Sequence, residues 1–322
     1  MALFDYPLEE LRTYKPNLPV PKDFDAFWQR TLGDARKFPL DAAYVPVTDP
    51  AYKLVDAYDM TFSGFGGQRI KGWLIEPAGN TKRLPAVVSF NGYSGGRGIP
   101  LDYTSFTVAG FVHILMDTRG QGWWSTGDTP DDGGPMDPQT PGVMTRGISS
   151  RETYYYRRLF TDSARAVEAA LAHPHVDPKR VAVAGGSQGG GIAIAAAALS
   201  GKTVKLCLPD VPFLCHYRRA TTLVNTHPYV EIANYLKTYR SRSAEVFKTL
   251  DYFDGIHLAT RITARCLFSV GLMDDVCPPS TVFAAYNRVK APKEIRIYDF
   301  NYHDGGGAMQ HLAKLNYAVK HL

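Results

Sequence analysis

The sequence predicts an α/β protein built on a mostly parallel, doubly wound sheet. Short, continuously apolar runs, typical of strands buried on both faces, alternate with helical patterns along the chain. One of these runs ends in a Gly-x-Ser-x-Gly motif at residues 185–189, which leads directly into an alanine-rich helical segment. The chain has 322 residues, of which 45% are hydrophobic. This is enough apolar material for one large core, and we expect residues 1–322 to form a single domain.

The N-terminal part of the chain is predicted to precede the main sheet. After a proline-punctuated opening, residues 1–40 are expected to form a helical arm, with Asp23 or Asp25 near the start of a helix that has aromatic side chains on one face. Residues 57–62 and 69–75 flank a Gly-Phe-Gly-Gly sequence and are predicted to pair as an antiparallel hairpin.

The remaining elements are read from the alternation of apolar runs and amphipathic segments. Buried strands are predicted at residues 86–90, 112–116, 181–184, 204–208, 266–270 and 294–298. Helices are predicted at residues 161–173, 188–200, 280–289 and 307–321. An irregular segment rich in aromatic residues and arginine, from residue 212 to about 254, interrupts this alternation. We expect it to form a lid-like helical insertion over the active-site face.

The charge pattern excludes several classes of partner. The net charge of +5 arises from 36 basic and 31 acidic residues spread along the chain without a basic block, which argues against a nucleic-acid-binding protein. Apolar stretches stay shorter than the roughly 20 residues that cross a bilayer, so no membrane association is expected. The N-terminus has acidic residues where a secretory signal needs basic ones, which predicts a cytoplasmic protein.

Cysteine usage points to neither disulfides nor a metal site. The four cysteines, Cys207, Cys215, Cys266 and Cys277, form no C-x-x-C pair, and two of them lie in apolar, strand-like runs. They are predicted to be free thiols in the interior.

Ser187, the serine of the glycine motif, is the candidate nucleophile. A sharp turn from strand to helix leaves little room for a Cβ, which favours glycine at Gly185 and Gly189. The turn directs the serine oxygen outward, next to the free backbone N–H groups of the helix N-terminus, where an oxyanion is stabilised.

A nucleophilic serine needs a base and an acid that orients the base, and both are expected at the carboxyl ends of later strands. His303 follows the last predicted strand and precedes three glycines. Asp274 follows the strand before it, and the order Ser187, Asp274, His303 is that of a known hydrolase architecture. Asp275 and Asp210 are rival acids, and spacing alone leaves the choice open.

These motifs resemble those of a known family, the acetyl xylan esterases and cephalosporin C deacetylases of carbohydrate esterase family seven. The similarity rests on Arg-Gly-Gln at residues 119–121, Gly-Gly-Ser-Gln-Gly at 185–189, Gly-Leu-Met-Asp at 271–274 and the terminal His303. It extends over nearly the whole chain, with further matching segments at residues 4–16, 144–148, 153–158, 210–214 and 277–287. The resemblance implies an α/β-hydrolase fold and makes Asp274, rather than Asp275, the acid.

The resemblance also implies an oxyanion hole formed by the backbone N–H groups of Tyr93 and Gln188. Two positions depart from the family pattern: Asn91 stands where relatives often have histidine, and Asp304 follows the triad histidine where glutamate is usual. The implied activity is removal of acetyl groups from small acetylated sugars or cephalosporin C through an acetyl-enzyme intermediate, without a cofactor or a metal. A homo-hexamer that encloses the active sites is implied as well.

Other functions stay open at this point. A general short-chain carboxylesterase or another serine hydrolase of the same fold has the same triad. A non-enzymatic binding protein is disfavoured, because all three triad residues are present. The Arg-Gly-Gln run at residues 119–121 is predicted to be a buried bridge between loops rather than a substrate contact. Trp123, Trp124 and the tyrosines at residues 154–156 are candidates for stacking on a sugar, although core or subunit contacts are the commoner role of such side chains.

Overall fold

The computed structural model describes residues 3–131 and 142–322. Its strands are β1 (Ala43–Val47), β2 (Val55–Ser63), β3 (Arg69–Pro77), β4 (Leu84–Phe90), β5 (Val112–Met116), β6 (Val176–Gly186), β7 (Leu206–Asp210), β8 (Arg265–Gly271) and β9 (Lys293–Tyr298). They form a nine-stranded sheet in the order β1-β2-β3-β5-β4-β6-β7-β8-β9. The pairs from β5 to β9 are parallel, whereas β1, β2 and β3 are antiparallel to their neighbours. The predicted fold class is confirmed.

Helices cover both faces of this sheet. They are α1 (Leu8–Thr13), α2 (Phe24–Arg36), α3 (Ser105–Val108), α4 (Tyr155–Ala172), α5 (Gln188–Ser200), α6 (Tyr217–Leu223), α7 (Tyr229–Thr238), α8 (Ser243–Leu250), α9 (Gly255–Leu258), α10 (Pro279–Tyr286) and α11 (Gly307–His321). Helices α4 and α5 pack against each other and against the central strands, over the larger apolar core. Helices α3 and α11 contribute to a smaller core on strands β4 to β8. No helix in residues 3–131 or 142–322 has the length and apolar character of a membrane span.

Most of the predicted elements are present, with shifted ends. The antiparallel hairpin is confirmed as β2 and β3, paired from Val55 with Pro77 to Ser63 with Arg69. Strand β7 ends two residues later than predicted, at Asp210. Its penultimate residue is a proline, which ordinarily marks the end of a strand. Helix α4 begins at Tyr155, six residues before the predicted start at 161.

Strand β1 is an element that the apolar pattern did not reveal. It lies at the edge of the sheet and pairs only with β2 among the described strands. Its side chains are exposed or half-buried, and it contains Pro46. An edge strand of this kind lacks the continuous apolar character that identified the central strands.

The N-terminal arm packs against the segment between β7 and β8. Asp23 directly precedes α2, as predicted, but its carboxylate does not cap the helix. It accepts hydrogen bonds from the Tyr252 hydroxyl at 2.5 Å and from Arg151 Nη1 at 2.8 Å. Trp28 of α2 donates through Nε1 to the carbonyl of Tyr252 at 3.0 Å. Helices α6, α7 and α8 belong to this same segment, which begins after β7 on the side of the sheet where Ser187 lies.

Candidate active site

Ser187 stands at a sharp turn between β6 and α5. Its backbone φ is +55°, in the left-handed region that disfavours residues with a side chain. A Cβ added at Gly185 would lie 2.3 Å from the carbonyl carbon of Gly189, and one added at Gly189 would lie 2.0 Å from the carbonyl oxygen of Phe90. Close backbone approach therefore requires glycine at both positions, in agreement with the predicted turn.

The Ser187 side chain meets His303, from the loop after β9, and His303 in turn meets Asp274, from the loop after β8. The distance between Ser187 Oγ and His303 Nε2 is 2.9 Å, and that between His303 Nδ1 and Asp274 Oδ2 is 2.8 Å. With the ring proton on Nδ1, the imidazole donates to the carboxylate and accepts from the serine hydroxyl. The structure thus joins the three predicted residues in one chain of hydrogen bonds, the arrangement of a serine hydrolase triad.

Asp274 is fully buried and fixed by backbone donors. Its Oδ1 accepts from the backbone N–H groups of Val276 at 2.9 Å and Cys277 at 2.8 Å, which leaves Oδ2 for the histidine. Backbone donors of this kind offset the cost of burying a carboxylate. The Cys277 thiol is itself buried, and burial together with the charge of Asp274 raises its pKa well above the ordinary value. It is therefore a protonated, unreactive thiol.

The two rival acids have other partners. The backbone carbonyl of Asp275 accepts from the Thr226 hydroxyl at 2.6 Å, so this residue contacts the segment between β7 and β8. Asp210 forms an ion pair with Lys314 of α11, and its Oδ1 accepts from Gln310 Nε2 at 2.8 Å. Asp210 therefore connects the end of β7 to the last helix, whereas Asp274 contacts the histidine.

Asp304 orders the loop that presents His303. Its Oδ1 accepts from the backbone N–H of Tyr302 at 3.1 Å, and its Oδ2 accepts from Asn301 Nδ2 at 2.6 Å. Both bonds lie within the turn around the histidine. Aspartate at this position, where the resembling family usually has glutamate, therefore still supplies a carboxylate that stabilises the loop.

The two residues predicted to donate to the oxyanion lie close to Ser187. Gln188 is the first residue of α5, so its backbone N–H has no carbonyl partner within the helix. Tyr93 lies on the loop after β4, next to Gly92, where an added Cβ would lie 4.0 Å from the Cβ of Ser187. Asn91, at the start of this loop, donates from Nδ2 to the carbonyl of Gly96 and so closes the loop on itself. The placement agrees with the predicted hole, and the donor role of the two N–H groups stays a prediction.

The phenol of Tyr93 is tied to the segment between β7 and β8. Its hydroxyl donates to Glu231 Oε1 at 2.8 Å and accepts from the backbone N–H groups of Gly142 at 3.1 Å and Val143 at 3.0 Å. Glu231 Oε2 also accepts from the backbone N–H of Met144 at 3.2 Å. Burial and the neighbouring Glu231 raise the pKa of Tyr93, so the phenol stays protonated and able to donate. Through these bonds α7 fixes the residue that is predicted to bind the oxyanion.

Replacing Tyr93 with phenylalanine is expected to lower kcat about tenfold with little change in KM. The substitution leaves two N–H groups without their acceptor and removes one donor to the largely buried Glu231 carboxylate, at a cost of about 1–3 kcal/mol, and loosens the loop that presents the Tyr93 backbone. Steady-state kinetics on p-nitrophenyl acetate separate the two constants. Tyr239→Phe, at an exposed tyrosine directly after α7, is the matched control and should behave as the unmodified protein. Equal kinetics for both variants would contradict a positioning role for the phenol.

A buried network of side-chain amides connects the Arg-Gly-Gln run at residues 119–121 to the loop after β4, which contains Tyr93 and Ser94. Gln121 Oε1 accepts from the backbone N–H of Ser94 at 2.6 Å, and Gln121 Nε2 donates to Gln188 Oε1 at 3.0 Å and to the Tyr155 hydroxyl at 2.9 Å. Arg119 is fully buried and donates to both oxygens of Asp162, at 2.6 and 2.9 Å. The predicted bridging role of this run is confirmed, and Gln121 adds a link between the residue after Ser187 and the predicted oxyanion loop.

A cavity of about 320 Å³ opens onto Ser187 and His303. Its wall comes from the loops after β4, β5 and β8 and from the segment between β7 and β8. The lining residues are Gly92, Tyr93, Ser94, Trp123, Trp124, Ser187, His227, Pro228, Val276 and His303. The wall is mainly apolar apart from the two serines and the two histidines, which suits a small uncharged ester better than a charged substrate.

The family model for acetyl xylan esterase (AXE1) matches residues 1–321. The chain belongs to the acetyl xylan esterase family. The resemblance seen in the sequence is therefore confirmed at the level of the family. Acetyl esterase Axe7A of Xylanibacter ruminicola is 30% identical over 291 residues, which are 90% of this chain and 65% of that protein, so the chain spans about two thirds of this relative's length.

Solved structures of the same family have the same fold. The acetyl xylan esterase of Paenibacillus sp. R4 is 40% identical, with a TM-score of 0.92 over 98% of this chain and 100% of that one. Acetyl Xylan Esterase 1 of Thermoanaerobacterium sp. JW/SL YS485 is 35% identical, with a TM-score of 0.89 over 98% of this chain and 99% of that one. The architecture therefore agrees, over 98% of the chain, with that of two acetyl xylan esterases.

The two groups of aromatic residues flagged in the sequence have different environments in this family member. Tyr154, Tyr155 and Tyr156 are fully buried, so they belong to the core. Trp123 and Trp124 are 65% and 57% exposed and lie at the cavity beside Ser187. Trp124 is fixed by a hydrogen bond from its Nε1 to the carbonyl of Tyr93 at 2.7 Å. The tryptophans, and not the tyrosines, are therefore available to a substrate.

Glu231, His227 and Pro228 are site residues that sequence reasoning missed. They lie in the segment between β7 and β8, which shows no periodic pattern and no motif that marks individual residues. Gln121 was within a recognised motif, and only the folded structure reveals its bonds to Gln188 and to the Ser94 backbone.

Proposed function

We propose that this protein is a carboxylic ester hydrolase that removes acetyl groups from small acetylated sugars, with Ser187 as its nucleophile. The observation that supports this most directly is the chain of hydrogen bonds from Ser187 through His303 to Asp274, at 2.9 and 2.8 Å, at the floor of the cavity. Membership of the acetyl xylan esterase family supports acetyl as the acyl group that is transferred to the enzyme. Acetylated xylo-oligosaccharides are the proposed substrates, and cephalosporin C is a further candidate.

The proposed reaction starts with proton transfer from Ser187 Oγ to His303 Nε2 as the oxygen attacks the acetyl carbonyl. Asp274 accepts a hydrogen bond from His303 Nδ1–H and stabilises the imidazolium that forms. The backbone N–H groups of Tyr93 and Gln188 are the proposed donors to the tetrahedral oxyanion, and such donors typically contribute about a hundredfold or more to the rate.

Collapse of the tetrahedral species transfers the proton from His303 to the departing sugar oxygen and leaves an acetyl group on Ser187. Water then attacks this acetyl-enzyme with His303 as the base, and acetate is released. The triad residues return to their starting protonation states. Each step in this sequence uses groups of the protein and water.

The cavity supports a short acyl chain and a sugar as the alcohol. Its volume of about 320 Å³ lies near the lower end of the range for small-molecule sites. The exposed indoles of Trp123 and Trp124 offer flat apolar surfaces of the kind that pack against a pyranose ring. The family resemblance further supports a homo-hexamer in which subunit packing restricts access to small substrates, and we include this assembly in the proposal.

The acyl preference tests this proposal. We expect kcat/KM on p-nitrophenyl esters to fall at least about tenfold between acetyl and butanoyl, and further toward octanoyl, because each methylene that does not fit costs about 1–3 kcal/mol. Acetate release from acetylated xylo-oligosaccharides and from cephalosporin C, measured side by side, then ranks the two substrate classes.

The control for this series is the same measurement on Ser187→Ala. The rate with this variant gives the background hydrolysis of each activated ester, which is subtracted from the rate of the unmodified protein. A flat or rising profile would contradict the deacetylase proposal. It would favour a general short-chain carboxylesterase, a function that the apolar wall formed by Trp123, Pro228 and Val276 also suits.

A further inference from the structure

A cluster of one carboxylate and two imidazole side chains lies at the opposite end of β6 from Ser187. Glu76 stands near the end of β3, and His173 and His175 lie in the connection between α4 and β6. One donor atom from each residue, a carboxylate oxygen or a ring nitrogen, lies within 4.8 Å of the other two. Since Ser187 follows the far end of β6, this cluster is separate from the proposed active site.

The cluster contains a buried nitrogen without a partner. His173 is 6% exposed, and its Nδ1 is buried with no hydrogen-bond partner among the described residues. A buried polar atom is satisfied in the great majority of cases, so an orphan of this kind calls for an explanation, such as an ion. The neighbouring His175 Nδ1 lies 3.0 and 2.9 Å from the two oxygens of Glu76, a carboxylate with no solvent exposure.

The three side chains are held in place by surrounding groups. The Glu76 carboxylate accepts from the Tyr58 hydroxyl at 3.3 Å and from Asn80 Nδ2 at 3.0 Å. The His173 ring packs edge-on against the His175 ring, with centroids 5.1 Å apart. Outer contacts such as those of Tyr58 and Asn80 orient the ligands of metal sites and raise metal affinity.

We propose that Glu76, His173 and His175 bind one divalent transition-metal ion, of which Zn²⁺ is the best match. Two imidazoles and one carboxylate form a donor set that zinc uses in proteins, whereas Mg²⁺ and Ca²⁺ prefer oxygen ligands throughout. Bond lengths of about 2.0–2.2 Å place the ligand atoms of a tetrahedral site about 3.3 Å apart. The donors here lie within 4.8 Å of one another, so binding would draw the more distant donors closer and move His175 Nδ1 slightly away from the Glu76 oxygen that lies 2.9 Å from it.

The ion would link the end of β3 to the connection between α4 and β6. His175, whose side chain is 27% exposed, leaves a path for the ion and a position for a water ligand. Because the cluster and Ser187 lie at opposite ends of β6, metal binding is expected to stabilise the fold without taking part in ester hydrolysis. The proposal therefore stands independently of the proposed function.

The test is a titration of the chelator-treated, full-length protein with Zn²⁺ by isothermal titration calorimetry, and with Co²⁺ by visible absorption. We expect one equivalent to bind with micromolar affinity or better, and the melting temperature to rise with Zn²⁺. His173→Gln and His175→Gln should each weaken binding at least about tenfold, and the double variant should abolish it. Circular dichroism and activity on p-nitrophenyl acetate verify that the variants are folded.

His321→Gln, at a histidine near the end of α11, is the matched control and should bind as the unmodified protein does. Absence of Zn²⁺ and Co²⁺ binding by the unmodified protein would overturn the proposal, whatever the variants do. Binding that is unchanged in the His173 and His175 variants would overturn it as well, because the ion would then be held elsewhere.

Discussion

Replacing Ser187 with alanine is expected to lower kcat/KM for p-nitrophenyl acetate by about four orders of magnitude or more. The substitution removes the oxygen that lies 2.9 Å from His303 Nε2, and it leaves no other group at the turn to form the acyl bond. Alanine keeps the Cβ, so the backbone strain at φ +55° is unchanged and the melting temperature should be nearly unaffected. Steady-state kinetics and thermal unfolding of the same preparation measure both effects.

Ser94 offers a matched control for this substitution. It is also a serine with positive φ, at +66°, and it lines the same cavity. Ser94→Ala should retain activity within a few fold, because Ser94 contacts Gln121 through its backbone N–H, which alanine keeps. A serine-directed phosphonate should label the unmodified protein and Ser94→Ala, but not Ser187→Ala. Near-normal hydrolysis by Ser187→Ala would exclude this residue as the nucleophile.

The central strands and the serine turn were predictable because their determinants are local. A strand buried on both faces needs a continuous apolar run, and the turn at Ser187 needs glycine at two fixed positions to avoid a clash. Strand β1 escaped prediction because an edge strand with exposed side chains needs neither feature. The early start of α4 at Tyr155 was missed because burial in a tertiary contact, rather than helical periodicity, fixes the position of its tyrosines.

Sequence spacing does not determine which of two adjacent aspartates, Asp274 or Asp275, is the triad acid. Asp274 and Asp275 are adjacent, have the same side chain and follow the same strand, so the pattern alone left both open. In the fold their environments differ: Asp274 is fully buried with two backbone donors, while the backbone carbonyl of Asp275 contacts Thr226. The direction in which a side chain points at the end of a strand depends on the turn that follows. Tertiary contacts determine the conformation of that turn.

The segment between β7 and β8 contributes to the site in two ways: it lines the cavity, and it holds Tyr93 in place. Glu231 lies on α7 and accepts from the Tyr93 hydroxyl, while His227 and Pro228 line the cavity. One segment therefore both shapes the space for substrate and fixes the predicted oxyanion loop. Changes in this segment are expected to alter kcat and substrate preference together, because the same segment serves both purposes.

Replacing Asp274 with asparagine is expected to lower kcat by about three to four orders of magnitude. An amide at this position donates a hydrogen bond to His303 Nδ1 and so favours the wrong ring tautomer, and it cannot stabilise the imidazolium. The matched control is Asp275→Asn, which changes the neighbouring carboxylate in the same way. It should leave kcat within a few fold, because the structure connects Asp275 to Thr226 through its backbone and not to the histidine. Kinetics on p-nitrophenyl acetate compare the pair directly, and a larger loss in Asp275→Asn than in Asp274→Asn would refute the assignment of Asp274 as the triad acid.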